Sequence, residues 1–177
     1  MKPARRPIVI EHVRPAVDDG RYPIKRIVGD TLTVTADIFK EGHDQLAARI
    51  RYRAREDADW REVPMRLVDN DGWAGTVPLE TNRRYVYIVE AWTDVFGSWV
   101  EEMRRRLTGG QTDLTSELLE GGALVRQARE AVRGADAEAL GRALDRLAAA
   151  TSRDGRLDVL LDGELRQLMF RAAPRAD

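Results

Sequence analysis

A β-sandwich followed by a small bundle of α-helices is the architecture this sequence predicts, and two observations predict it. Up to Trp92 the apolar residues recur with a period of two, in short runs separated by turn signals. After Thr112 they recur every three or four positions, as the buried face of a helix requires. The change of period falls in the stretch Asn82 to Arg106. Its first half alternates, with Tyr85, Tyr87, Val89 and Ala91 set against Val86, Ile88, Glu90 and Trp92, and its second half suits a helix start from Ser98 onward. The expected division is a sandwich over residues 1–99 and a helical subdomain over residues 100–177.

Taken in order, Met1 to Pro7 reads as a loose arm and Ile8 to Val13 as a first strand stopped by Pro15. Arg14 to Val28 mixes Pro15, Pro23 and Asp19-Gly20 with short apolar pieces, which predicts irregular or edge structure. Thr31 to Phe39 is the cleanest strand, its Leu32, Val34, Ala36 and Ile38 facing inward and its threonines outward. In Leu46 to Arg53, Ala48, Ile50 and Tyr52 point one way and Arg49, Arg51 and Arg53 the other. Trp60 to Leu67 reads as one edge or bulged strand, because Pro64 cannot donate to a ladder. Asp71-Gly72 then signals a hairpin with glycine at a positive φ, leading into the alternation of Trp73, Gly75, Val77 and Leu79. Six or seven short strands at this spacing place the first half in the immunoglobulin-like or fibronectin-like class.

In the second half, Leu114, Leu118, Leu119, Val125, Ala128 and Val132 mark one helical face, interrupted at Gly121-Gly122. Gly134 is expected to close that helix and Asp136 to cap the next, which carries Leu140, Leu144 and Leu147. Leu157, Leu160, Leu161, Leu165, Leu168 and Met169 form a last segment, nicked by Asp162-Gly163, before the chain closes in RAAPRAD.

Composition narrows the function. With 177 residues, 43% of them hydrophobic, the chain carries enough apolar material for a real core. Its 29 basic and 30 acidic residues leave a net charge of -1, so no global field recruits nucleic acid or an anionic membrane. Cysteine is absent, which removes disulfides and thiolate chemistry and fits a cytoplasmic protein. The N-terminus has only a short apolar run and reads as no signal peptide, and no run reaches the length of a membrane span.

Material for catalysis is sparse. His12 and His43 match no metal-ligand spacing, and the serines at 98, 116 and 152 sit in no nucleophile elbow. The glycine-bearing LTGGQ stretch lacks the lysine of a phosphate-binding loop. Asp44 and Asp94 are the acids a paired-carboxylate reading would name, against a bland role in closing loops and capping turns. Arg104, Arg105 and Arg106 read as a solvated helix face after Glu101 and Glu102. No catalytic residue, cofactor or metal is expected. Trp60, Trp73 and Trp92 are the candidate sugar-stacking platform, weighed against indoles that fill the core. Leu118, Val125 and Ala128 are the candidate interface for a partner helix face.

Four stretches carry a resemblance. GRYPIKRIVGDTLTVTADIFKEGHDQLAARIRYR (Gly20 to Arg53), NDGWAG (Asn70 to Gly75), YVYIVEAWTDVFGSW (Tyr85 to Trp99) and ELLEGGALV (Glu117 to Val125) occur in this order. Together they resemble the N-terminal region of the bacterial α-1,4-glucan:maltose-1-phosphate maltosyltransferases, α-amylase-like enzymes of glycoside hydrolase family 13. Two stretches depart from the pattern: Arg83-Arg84 stand where the family has a glycine, and RRRLTGGQTD replaces a more lysine-rich linker. The resemblance implies an immunoglobulin-like sandwich with a helical insert, packed beside a (β/α)₈ catalytic barrel and contributing to a homodimer interface. It also implies that the nucleophile and the acid/base belong to the barrel, so no catalytic residue carries over. The expected role is a non-catalytic module of such an enzyme, with a stand-alone glucan-binding module and a pure interaction scaffold as the alternatives.

Overall fold

The computed structural model describes residues 7–172, so the arm up to Arg6 and the final stretch from Ala173 lie outside the described residues. The chain divides between Trp92 and Thr93 into two compact units, each with its own hydrophobic core.

Among the described residues seven strands build the first core: β1 (Val9–Arg14), β2 (Thr31–Phe39), β3 (Leu46–Ala54), β4 (Arg61–Pro64), β5 (Arg66–Asp69), β6 (Gly72–Pro78) and β7 (Tyr85–Thr93). They form one sheet in the order β1-β2-β6-β5 and another in the order β4-β3-β7. The alternation of β2 is realised as read: Leu32, Val34, Ala36 and Ile38 are buried, and Thr31, Thr33 and Thr35 are exposed. β2 runs antiparallel to β6 from Thr31 opposite Pro78 to Asp37 opposite Gly72. Ala48, Ile50 and Tyr52 of β3 meet these residues from the other sheet, and Met65, Trp73, Val77 and Leu79 complete the core. Burying each large aliphatic side chain here contributes about 1.5–3 kcal/mol.

The stretch expected as one strand, Trp60 to Leu67, is two. Pro64, paired opposite Arg49, is the last residue of β4. The next residue, Met65, buries its side chain and donates its backbone N–H to Ala48 O at 2.9 Å, and β5 then joins the other sheet. The hairpin expected at Asp71-Gly72 connects β5 to β6, but its left-handed residue is Asn70, at φ 44°. Asparagine tolerates that region through local hydrogen bonding, and Gly72 instead opens β6.

Five helices of the described residues build the second core: α1 (Val95–Thr108), α2 (Thr115–Ala131), α3 (Ala135–Ala149), α4 (Arg153–Leu160) and α5 (Gly163–Ala172). α1 starts ahead of Ser98 because Asp94 caps it, its Oδ1 accepting the N–H of Gly97 at 2.8 Å. α2 passes unbroken through Gly121-Gly122, where helix packing has overridden the propensity that predicted a break. Gly134, at φ 67°, opens α3 rather than closing α2. Asp136 therefore lies inside the first turn of α3, where its charge suits the positive helix end, and it faces Arg171. Ser152 and Asp162 cap α4 and α5. Leu118 is buried in the helical core, while Leu119, one step and so about 100° further round α2, is 62% exposed and leaves the face expected of it.

Candidate functional site

Side chains alternate across a strand, so the residues of β3 that do not enter the core form a row on the outer face of its sheet: Arg49, Arg51 and Arg53. The neighbouring strands supply their partners. Glu90 of β7 accepts from Arg49 Nε at 2.7 Å with one carboxylate oxygen and from Arg51 Nη1 at 3.2 Å with the other. Glu62 of β4, directly opposite Arg51, ion-pairs with both Arg49 and Arg51. Arg53 donates to the backbone carbonyl of Asp57.

Two indoles flank the row. The guanidinium groups of Arg51 and Arg53 stand 5.2 and 4.9 Å from the ring centre of Trp60, and that of Arg49 stands 5.8 Å from Trp92. These are cation–π distances, each contributing about 0.5–1 kcal/mol where water has access. Two carboxylates thus answer Arg49 and Arg51, Arg53 meets a backbone carbonyl, and the Nε atoms of Arg51 and Arg53 are buried without a hydrogen-bond partner. Such a face can hold a ligand or stiffen a sheet. It has no nucleophile and no proton-transfer pair aimed at a cleft.

Glu90 is the hub of this face. Burial alone would raise its pKa, but the hydrogen bonds and charges of Arg49 and Arg51 outweigh burial and hold it below the ordinary carboxylate range. A depressed folded pKa contributes stability above the unfolded carboxylate pKa, about 4.3, and loses it as pH falls through the folded value. Glu90→Gln is therefore expected to cost about 1–2 kcal/mol near neutral pH, with the gap to wild type closing in acid. Urea unfolding of both proteins at neutral and acid pH checks this; a gap constant with pH would refute it.

Of the three indoles expected as a platform, the face brings together Trp60 and Trp92 only. Trp73 lies in the sandwich core with its Nε1–H donating to Ile38 O at 3.2 Å. Leu118, Val125 and Ala128 lie inside the core of the helical unit. The other singled-out groups are in local structural bonds: His12 Nδ1 sits 2.7 Å from Asp37, Lys40 pairs with Asp44, and Asp94 caps α1. Arg104, Arg105 and Arg106 pair with Glu101, Glu102 and Glu117. Among the described residues no group of three or more acidic or histidine side chains is placed to hold a metal ion, and no helix is long and apolar enough to cross a membrane. Sequence reasoning recognised the outward turn of Arg49, Arg51 and Arg53 but not the face they make with Glu62 and Glu90. The available signal was R-x-R-x-R on one strand with single acids on two others.

Comparison with known proteins follows the same lines. The profile of the family described as alpha-1,4-glucan:maltose-1-phosphate maltosyltransferase, domain N/S, matches residues 6–177. The chain is similar to the alpha-1,4-glucan:maltose-1-phosphate maltosyltransferase of Myxococcus xanthus, at 48% identity over 155 residues, 83% of this chain and 23% of the relative. It is likewise similar to the enzymes of that name from Chlorobaculum tepidum, at 33% identity over 97% of this chain and 25% of the relative, and Salinibacter ruber, at 34% over 94% and 25%. The chain spans about a quarter of the length of these curated relatives.

Proposed function

This chain belongs to the family of the alpha-1,4-glucan:maltose-1-phosphate maltosyltransferase N/S domain, and from that premise we propose that it is a non-catalytic accessory domain of such an enzyme. The enzyme would transfer maltose from maltose 1-phosphate to an α-1,4-glucan, with its chemistry in a catalytic barrel, and this domain would support barrel packing and homodimerisation. The observation that carries the reading is the match of a domain profile to residues 6–177, against relatives of which the chain spans about a quarter. The engagement of His12, Asp94 and Ser98 in structural bonds supports it.

The sheet orders support an immunoglobulin-like assignment for the sandwich. β1-β2-β6-β5 is the A-B-E-D order of that class, and β4-β3-β7 supplies strands equivalent to C′, C and F. The helices follow β7, the position from which an insert would lead on to a G strand.

The chain alone, given maltose 1-phosphate and glycogen, is expected to release no phosphate. Measurable release would overturn the accessory reading. A glucan-binding role is the second reading because Trp60, beside Arg51 and Arg53, is only half-buried. Titration with maltoheptaose, followed by tryptophan fluorescence and by sedimentation of the same samples, separates glucan binding from assembly.

A further inference from the structure

The segment between β1 and β2 lies open. A single bridge between Val17 and Tyr22 closes its turn, and from Ala16 to Asp30 every residue except Ile24 is exposed. Val17, Tyr22, Ile27 and Val28 are among the large apolar side chains left in water, Ile27 at 74% exposure. A groove runs between this segment and the start of β7, with Tyr85 and Tyr87 on its far side. Tyr87 fixes the near wall by donating its hydroxyl to Pro15 O at 2.7 Å.

The groove is basic. Arg14, Lys25, Arg26 and Arg84 line it, and none of them makes an ion pair among the described residues. Arg83 also lines it but is held by Glu56 and Asp57. The acids present are Asp18 and Asp19, so positive charge is in excess here although the whole chain carries a net charge of -1. Unanswered cations next to exposed aliphatic side chains have no complement in a neutral sugar, which offers no charge, or in a small phosphate, which offers no apolar surface. A polypeptide carrying both carboxylates and apolar side chains answers both.

We infer that this groove is a docking site for an acidic, apolar-bearing polypeptide segment. The inference does not need the maltosyltransferase reading: turnover by the chain alone would overturn that reading and leave the groove's polarity unchanged.

The test uses the full chain and two probes, a random copolymer of glutamate and tyrosine and a polyglutamate of equal length, with binding read by fluorescence anisotropy of the labelled polymer. The copolymer is expected to bind saturably, more tightly than polyglutamate, and to weaken with added salt. Arg14→Glu combined with Arg84→Glu is expected to lower affinity for both polymers by about tenfold or more. Ile27→Ser is expected to remove the copolymer's advantage, and Arg129→Glu on the helical unit to change nothing. Thermal melts of these exposed-site variants confirm that the fold is intact. Absence of copolymer binding, wild-type affinity in the groove variants, or full displacement by glucose 1-phosphate would overturn the inference, the last by assigning the groove to a small anion.

Discussion

Gly121→Ala is expected to destabilise the helical unit by about 2–3 kcal/mol, while Gly122→Ala, one residue along the same helix, is expected to be neutral or mildly stabilising. A Cβ at position 121 would lie 2.5 Å from Cζ2 of Trp99 and 2.9 Å from two further ring atoms. That ring has nowhere to go. It is 6% exposed, stacks on Phe96 at 5.5 Å between centroids, and donates its Nε1–H to Glu117 O at 2.9 Å. At position 122 the nearest atom is the terminal Cδ2 of Leu147, at 3.1 Å, on a flexible side chain that can yield. Both substitutions gain about 1 kcal/mol of helix propensity, so the sign at each site is set by what the methyl meets. Urea melts followed by far-ultraviolet circular dichroism measure the difference. Equal stabilities for the two variants would mean that Trp99 does not pack on Gly121 as described. If it does, Trp99→Leu should couple with Gly121→Ala, making the double variant more stable than the sum of the single losses allows, by about 0.5–3 kcal/mol.

That glycine pair also marks where the sequence stopped being legible. Local signals were sufficient wherever one element's own period decided the outcome. The alternation in β2 needs only a buried and a wet face, and the pattern of Leu32 to Ile38 states it directly. Signals failed where a distant residue decided. Gly121-Gly122 reads as a break until Trp99, 22 positions away by number, supplies a ring that requires close approach. Pro64 announces an edge, but that the chain changes sheets there depends on Met65 finding Ala48. Asp136 has the chemistry of a cap, yet Gly134 reaches a conformation that begins the helix earlier. The candidate face has the same history. Each of Arg49, Arg51, Glu62 and Glu90 is ordinary in sequence, and only the order β4-β3-β7 brings them into one network.

Trp73→Ala is expected to cost about 3–5 kcal/mol, against about 1–2 kcal/mol for Trp60→Ala. Trp73 is 8% exposed, packs in the core between the sheets and satisfies Ile38 O, so its removal leaves both a cavity and a buried carbonyl short of a donor. Trp60 loses its contacts with Arg51 and Arg53 on a face that water reaches, and nothing behind it collapses. Urea unfolding of the two variants gives the comparison, and a loss at Trp60 equal to that at Trp73 would place Trp60 in the core as well. The difference bears on glucan binding directly. An indole can stack on a sugar only through a ring face open to solvent, which Trp73 lacks. Trp92, at 6% exposure, lacks it as well. Trp60 is therefore the one of the three whose removal can test sugar binding without unfolding the sandwich: a maltoheptaose response retained in Trp60→Ala would have to arise away from this face, and one lost there would assign the sugar to it.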